Sequence, residues 1–175
     1  MSNPYINQYD IRKKAFKLGT SAEEDFRKWL IKNNIKYRDA TLEEQYNHID
    51  FIIYYNDEEI KIDVKATKRK GRNDKNLCFD KLWVEFKNGE GNPGWLYGLS
   101  DFIVFEKQDE NGFYWIKREE LKDLCIKICN QGFTNDKYNA LYHIYTRYGR
   151  NDKISQIKFD DLLALNYVFI DKVKD

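Results

Sequence analysis

The spacing of apolar residues changes along the chain between two periods, one typical of helices and one typical of strands. In the stretch "GTSAEEDFRKWLIKNN" (19–34), apolar residues recur every three or four positions, at Ala22, Phe26, Trp29 and Leu30. This spacing places them on one side of a helix. The sequence therefore predicts an amphipathic helix near the start of the chain.

Short runs of strand type follow the predicted helix, and residues typical of turns separate them. They cover residues 35–39, 49–55, 60–65, 82–86, 101–106 and 113–117. The polar letters "NDEE" and "QDENG" each join two of these runs, which predicts two hairpins. The stretch 66–94 is rich in glycine and has the least regular pattern of the chain.

The last third of the chain contains one pattern twice, a strand-like lead that runs into a helix. "IKREELKDL" (116–124) and "IKFDDLLAL" (157–165) both place two acidic residues in the first helical turn, where the helix dipole favours negative charge. Between them, Tyr138, Tyr142 and Tyr145 stand at helical spacing, which indicates a helix. Strands mixed with helices predict a single domain of α/β (α+β) class.

Composition narrows the class of protein. The chain has 175 residues, of which 42% are hydrophobic and 16% aromatic, enough for one domain with a full core. No apolar run approaches the roughly 20 residues of a membrane span, and the first residues show no secretory signal. Three cysteines are an odd number, which favours a reduced, cytoplasmic protein. We interpret Cys125 and Cys129 as buried thiols, because a zinc site needs a second pair of ligands.

The distribution of charge matters more than its sum. The net charge of +1 gives the whole chain no attraction for nucleic acid, so phosphate binding requires local clusters. "KATKRKGRNDK" (65–75) is such a cluster, and its basic residues beyond the strand are candidate DNA contacts: Lys68, Arg69, Lys70 and Arg72. A second basic group holds three further candidates: Arg147, Arg150 and Lys153. The alternative for both groups is a solvated loop.

The first predicted hairpin carries charged residues inside strands that are otherwise apolar. Because alternate residues of a strand share a face, Asp63 and Lys65 point away from the apolar residues that alternate with them. With an even number of loop residues, Tyr55 pairs with Ile60, and Asp50 falls on the charged face. Asp50 is then diagonal to Asp63, roughly 7–8 Å away at the backbone. The alternative is an edge strand whose charges line its solvent face.

Two carboxylates this close repel each other unless a cation lies between them. Mg²⁺ accepts one or two carboxylates and keeps waters and phosphate oxygens as its other ligands. A neighbouring lysine can hold a water or neutralise charge that develops on a phosphate. The face formed by Asp50, Asp63 and Lys65 is therefore typical of metal-assisted hydrolysis of a phosphodiester.

These residues resemble the motif of the PD-(D/E)XK nuclease superfamily, which has an acidic residue in a first helix, an Asp at one strand and (D/E)-x-K in the next. Here the motif reads Glu23 in "GTSAEEDF", Asp50 in "NHIDFII", and Asp63 with Lys65 in "IKIDVKA". The "G-x-x-A-E" opening is also similar to that of the Holliday junction resolvases within the superfamily. The resemblance covers roughly residues 19–68, and the helix expected after the D-x-K strand is hard to find.

The resemblance implies a role for each residue of the motif. Asp50 and Asp63 would bind Mg²⁺ or Mn²⁺, with the Val64 carbonyl as a further ligand. Lys65 would position or activate the attacking water. Glu23 would complete the metal site or hold a second ion through water.

Glu23 also fits a second role, in the cap of its helix. Thr20 and Glu23 are spaced as a capping box, and so are Ser21 and Glu24, which would leave Glu23 free. Glu23 precedes Phe26 by three residues, so it faces the buried side of the helix, where an unpaired carboxylate is costly. That position favours a role in the site.

Four further residues have two interpretations each. Glu85 is either an additional ligand or a residue on the surface of a strand. His48 shares the face of Asp50 and either contacts a phosphate or a metal-bound water, or is a plain strand histidine. Trp95 and Tyr97 either stack on a base or pack against the core.

The residues and the resemblance together predict a Mg²⁺-dependent DNA endonuclease, of phage or mobile-element type, that acts in recombination, repair or DNA processing. The implied fold is a restriction-endonuclease-like core over about 16–106, a mixed central sheet flanked by helices, with a C-terminal extension over about 107–175. The alternatives are a restriction-type or junction-resolving nuclease, for which the family implies a homodimer, and an inactive nucleic-acid-binding module of the same fold.

Overall fold

The computed structural model describes residues 21–69 and 75–173. Its helices are α1 (21–32), α2 (Leu42–Tyr46), α3 (Arg118–Ile128) and α4 (Phe159–Leu162). Its strands are β1 (Lys36–Asp39), β2 (Phe51–Tyr55), β3 (Glu58–Lys65), β4 (Lys81–Lys87), β5 (Phe102–Lys107), β6 (Gly112–Lys117), β7 (Phe133–Thr134), β8 (Ile144–Tyr145), β9 (Lys153–Lys158) and β10 (Tyr167–Asp171). Each predicted strand run overlaps one of these strands, with ends that differ by up to two residues. None of the described helices has the length and apolar composition needed to cross a membrane.

Six strands form the main sheet, in the order β1-β2-β3-β5-β6-β10. β1, β2 and β3 are antiparallel neighbours, and β3 then runs parallel to β5. β6 and β10 continue the sheet with antiparallel pairing. The mixed sheet and its helices confirm the α/β (α+β) class. The C-terminal extension supplies β6 and β10, two of the six strands of this sheet.

The hairpin of β2 and β3 turns at Asn56 and Asp57, whose φ angles are 50° and 64°. Asn and Asp tolerate this left-handed backbone, and two such residues in a row give a turn that matches the twist of the strands. The turn pairs Tyr55 with Glu58. The predicted pairing of Tyr55 with Ile60 is therefore wrong by two residues. The shift is even, so every side chain keeps its predicted face.

Helix α1 packs on one face of the main sheet through the residues that its period predicted. Ala22, Phe26 and Leu30 are fully buried. The ring centre of Phe26 lies 5.5 Å from that of Phe51 in β2 and 5.6 Å from that of Phe113 in β6. Helical spacing and burial agree here because the helix buries its apolar side against a sheet.

A second sheet, β4-β9-β8-β7, packs on the opposite face. Val84 of β4 and Ile157 of β9 belong to one buried cluster with Ile103 and Phe105 of β5. Helix α3 joins this cluster through Leu121 and through two buried free thiols. These thiols are Cys125 and Cys129, as predicted.

Strand β4 and a short 3-10 helix (Trp95–Tyr97) lie in the connection between β3 and β5. No α-helix occurs in the described part of this connection, which comprises residues 66–69 and 75–101. The guanidinium of Arg118 holds the 3-10 helix and the segment after it in place, because it donates to the carbonyls of Leu96 at 2.9 Å and Ser100 at 2.7 Å. The second sheet covers the face of the main sheet that a helix between β3 and β5 would otherwise cover.

The stretch 138–150 does not form the helix that its tyrosines indicate. A short 3-10 helix (Lys137–Asn139) ends before Tyr142, whose φ is 60°. A left-handed residue cannot continue a right-handed helix. The Tyr142 hydroxyl donates to Asp161 at 2.8 Å, so this side chain packs toward α4 and not along a helix face. The prediction of a helix here is wrong.

A buried ion network ties the chain after β10 to α1 and to the main sheet. Lys172 Nζ lies 2.5 Å from Glu106 Oε1 and 2.9 Å from Asp25 Oδ2. Glu106 is 2% exposed and also accepts the Thr67 N–H at 3.0 Å. Removal of one partner from a buried pair leaves a charge without compensation, which is strongly destabilising.

We expect Lys172→Met to lower the free energy of unfolding by about 3–5 kcal/mol, because the Glu106 carboxylate stays buried without its cation. Lys28→Met is the matched control, since Lys28 pairs with the same Asp25 at 3.7 Å but is 46% exposed. The control should change stability by less than about 1 kcal/mol. Urea unfolding followed by circular dichroism measures both, and equal losses would contradict the network's role.

Candidate active site

The Asp50 side chain closes the ladder between β2 and β3. Asp50 immediately precedes β2, and its N–H donates to the Ile62 carbonyl at 2.7 Å. Its Oδ2 accepts the Val64 N–H, also at 2.7 Å. A carboxylate thus takes the place of a backbone acceptor at the end of the ladder. This bond fixes the Asp50 carboxylate beside the backbone of β3, next to Asp63.

Asp63 and Lys65 form a buried pair at the end of β3. Asp63 is 1% exposed, and its Oδ1 accepts a hydrogen bond from Lys65 Nζ at 2.5 Å. The other oxygen, Oδ2, is buried and has no hydrogen-bond partner among the described residues. Lys65 Nζ also lies 5.5 Å from the ring centre of Trp95, which packs in the core. The predicted core position of Trp95 is confirmed.

The two faces of β3 differ as their alternation predicted. Ile62 and Val64 pack with helix α1. Asp63 and Lys65 lie beside Ile103 and Phe105 of the neighbouring β5, which belong to the cluster under the second sheet. The charged face is therefore covered, not open to solvent as in an ordinary edge strand. This excludes the alternative of a solvent-lining pair.

The Asp50 charge acts on Asp63. Burial raises the pKa of the Asp63 carboxyl, the Lys65 ammonium opposes the rise, and the Asp50 charge adds to it. Burial lowers the pKa of Lys65, but the charges of Asp63 and Asp50 more than offset it, so the pKa lies above its usual value. Lys65 therefore stays charged beside Asp63, whose ionisation burial opposes.

Glu23 of α1 joins this group. Its pKa is raised to about 6, first by burial and then by the Asp50 charge, while the Lys65 charge opposes the rise. Asp50 and Lys65 are therefore its electrostatic neighbours, as the motif predicts. Among the capping alternatives, Thr20 lies outside the described residues, and the Glu24 carboxylate bonds to Arg27.

Glu85 of β4 lies close to the site, from the side of the second sheet. Burial raises the pKa of its carboxyl, and three nearby cations oppose the rise: Lys68, Lys65 and Arg147. The register between β4 and β9 shifts after Glu85, which marks a bulge. Gly94 allows the next segment to approach, since a Cβ there would lie 2.3 Å from the Glu85 carbonyl oxygen.

Sequence reasoning left Glu85 between an additional ligand and a surface position. The alternation of β4 separates Glu85 from the buried Val84, but it does not reveal which sheet β4 joins. That information lies in the pairing of β4 with β9, about 70 residues further along the chain. No local signal brings Glu85 to the site.

The candidate DNA contacts are only partly brought together. The Lys68 residue is exposed to solvent, although it has much protein around it. This partial loss of solvent lowers the pKa of its ammonium, and so does the Lys65 charge. Both observations fit a residue at the rim of a concave site. Arg69 is partly buried, and its Nε has no hydrogen-bond partner among the residues that the structure describes. Lys153 lies on β9 with its Nζ 5.9 Å from the Phe133 ring centre. Lys70 and Arg72 are outside the described residues.

His48 stands at the entrance to β2 and not within a strand. Its φ is 59°, so the chain turns sharply there. Burial lowers the pKa of the imidazole, the Lys65 charge lowers it further, and a hydrogen bond to the Pro93 backbone and the Asp50 charge raise it. The ring therefore connects the site with the segment before the 3-10 helix. Arg150 lies on a groove that His48 also lines.

The donor set fits a cation that needs few protein ligands. Within the ranges that the structure describes, no group of three or more His, Cys, Asp or Glu side chains has the arrangement of a complete metal cage. Asp50 and Asp63 supply two adjacent carboxylates, and the buried Asp63 Oδ2 has no hydrogen-bond partner in residues 21–69 and 75–173. Mg²⁺ commonly takes one or two carboxylates and completes its shell with water and phosphate.

Comparison with known proteins gives no match: no family model, no curated protein and no solved structure is significantly similar to this chain.

We expect Glu23→Gln to stabilise the protein at pH 8 in the presence of EDTA. The folded pKa of about 6 lies above the ordinary value of 4.5, so ionisation of Glu23 costs stability as the pH rises through this window. Because the side chain is only half-buried, the gain should be about 0.5–1 kcal/mol at pH 8. It should vanish near pH 4, where the carboxyl is protonated in both states.

Urea unfolding at both pH values measures this difference. Glu24→Gln is the matched control, because Glu24 is exposed and pairs with Arg27. The control should not gain stability at pH 8. A Glu23→Gln variant that is less stable at pH 8 than the parent would place Glu23 in a favourable ion pair and outside the acidic group.

Proposed function

We propose that the protein is a metal-dependent DNA endonuclease that hydrolyses phosphodiester bonds, as the resemblance to the PD-(D/E)XK superfamily implies. One observation carries the proposal. Asp50 and Asp63 bring two carboxylates together beside the Lys65 ammonium, with a buried Asp63 oxygen that has no hydrogen-bond partner within the described part of the chain. An ion pair that only stabilises the fold requires neither a second carboxylate nor a buried oxygen without a hydrogen-bond partner.

The order of the elements supports the same proposal. Helix α1 precedes three antiparallel strands, and the next strand of the main sheet, β5, runs parallel to β3. The motif residues occupy corresponding places: Glu23 on α1, Asp50 before β2, and Asp63 with Lys65 at the end of β3. A restriction-endonuclease-like core is therefore part of the proposal. The second sheet in place of a crossover helix is the main departure.

Each residue of the site has a role in this reaction. Asp50 and Asp63 would hold the cation, and Glu23 would contact it through water. When bound, the cation would polarise the phosphate and lower the pKa of its water. Lys65 stays protonated, so it donates to a phosphate oxygen and stabilises negative charge there. Lys68, at the rim, would meet a neighbouring phosphate.

We expect Asp63→Asn and Lys65→Met each to reduce Mg²⁺-dependent cleavage of DNA by about 100-fold or more, because each removes a group that acts on the reacting phosphate. The assay incubates purified protein with supercoiled, linear, single-stranded and four-way DNA, with Mg²⁺, Mn²⁺ or EDTA. Asp57→Asn is the matched control, since it makes the same chemical change in the exposed turn of the same hairpin.

The comparison among substrates separates the related alternatives. Preference for four-way DNA would indicate a junction-resolving enzyme, and sequence-dependent cutting of duplex would indicate a restriction-type enzyme. Tight binding without cutting in any metal would overturn the nuclease proposal in favour of a binding module.

We expect Mg²⁺ to stabilise the folded protein, because a ligand that binds only the native state adds to its stability. At tenfold above its Kd, the cation adds about 1.4 kcal/mol, which raises Tm by about 3–6 °C for a chain of this size. Asp50→Asn should abolish the rise, whereas Asp57→Asn should keep it. Thermal unfolding with and without MgCl₂ measures the effect. If Tm rises as much in Asp50→Asn as in the parent, the metal binds at another site.

A further inference from the structure

A groove of about 880 Å³ opens beside the candidate active site. Residues 45–48, parts of the turn 88–93, residues 97–99 and Arg150 line it. His48 is one of the lining residues, and Asp50 follows it by only two positions. The groove therefore lies beside the site, on the side where the chain enters β2.

The groove presents aromatic and apolar surface to solvent. Tyr46 is 85% exposed, Leu99 56% and Tyr97 45%. All three line the groove, although apolar and aromatic side chains of this size gain stability when buried. Exposed tyrosines at a concave surface are typical of sites that stack on a planar ligand.

The groove is built and not an open gap between loops. The Leu99 N–H donates to the Asn47 carbonyl at 2.9 Å. Gly98 allows this approach, since a Cβ there would lie 2.8 Å from His48 Cβ. On the other side, Asn88 Oδ1 accepts two backbone N–H groups of its turn at 3.0 Å each. The lining is therefore held in place before any ligand binds.

The charge of the lining is balanced. Arg150 and Glu90 carry its two formal charges, which are of opposite sign. No ion pair or side-chain hydrogen bond occupies the Arg150 guanidinium within the described part of the chain, so it is available to a ligand. Balanced charge gives no general attraction for a duplex backbone, whereas stacking does not depend on net charge.

We propose that this groove binds an unpaired nucleotide of the DNA strand that is cleaved, with its base stacked on Tyr46 or Tyr97 and Arg150 on its phosphate. The proposal rests on the proposed nuclease function, because the groove adjoins the site that would hold the scissile phosphate. A base within a duplex already stacks on its neighbours, so only an unpaired nucleotide can offer its face to a tyrosine. The protein would then prefer DNA with a single-stranded segment at the cleavage position.

The test measures binding by fluorescence anisotropy in the Asp63→Asn background, where cleavage should be at least about 100-fold slower, with Mg²⁺ present. The probes are a labelled 20-nucleotide single strand and the duplex of the same sequence. At least one of Tyr46→Ala and Tyr97→Ala should weaken binding of the single strand at least about fivefold, and binding of the duplex less than about twofold. Tyr55→Ala is the matched control, because Tyr55 is 64% exposed at the far end of β2.

The outcomes separate this proposal from the one on which it rests. The groove proposal is wrong if both tyrosine variants bind the single strand as tightly as the parent does. It is also wrong if they lose affinity for the single strand and for the duplex equally. Metal-dependent cleavage that needs Asp63 would survive that result. If the parent neither binds nor cleaves any DNA, both proposals fail. Tyr46 is almost fully exposed, so its variant tests the groove even if Tyr97→Ala does not fold.

Discussion

The buried contact between Asp63 and Lys65 is the constraint around which the rest of the structure is arranged. Two charges taken out of water cost several kcal/mol each, and their attraction offsets that cost only when the pair is held closely. Here the hydrogen bond is 2.5 Å long, yet Asp63 Oδ2 has no partner among the described residues. An unsatisfied buried oxygen costs about 1–3 kcal/mol. A pair selected for stability alone would not keep that cost.

The second sheet makes this burial possible. Without an α-helix in the described part of the connection, β4 and the segment around Trp95 cover the charged face of β3. The same cover brings Glu85 to the site, with Lys68 and Arg147 beside it. Arg147 is itself held by Asp152, through its backbone N–H at 2.9 Å and through an ion pair. The second sheet and the segment around Trp95 therefore exclude solvent from the pair and also place charged side chains at the edge of the site.

Local pattern was sufficient for features that depend on neighbours in sequence. Alternation assigned Asp63 and Lys65 to one face and Val64 to the other, and helical spacing identified the buried side of α1. Long-range pairing decides the rest. Glu85 reaches the site only because β4 pairs with a strand far along the chain, and the tyrosines around Tyr142 have helical spacing without a helix, since a left-handed residue interrupts it.

The balance of charge at the site links the proposed cation to the proposed substrate. Glu23, Asp50 and Asp63 are three carboxyl groups beside one lysine, and burial raises the pKa of Glu23 and of Asp63. A phosphate anion added to this group would meet repulsion from the acids before it reached Lys65. A divalent cation between Asp50 and Asp63 would turn this repulsion of the phosphate into attraction. Under the proposed function, binding of the scissile phosphate at this position therefore depends on the cation.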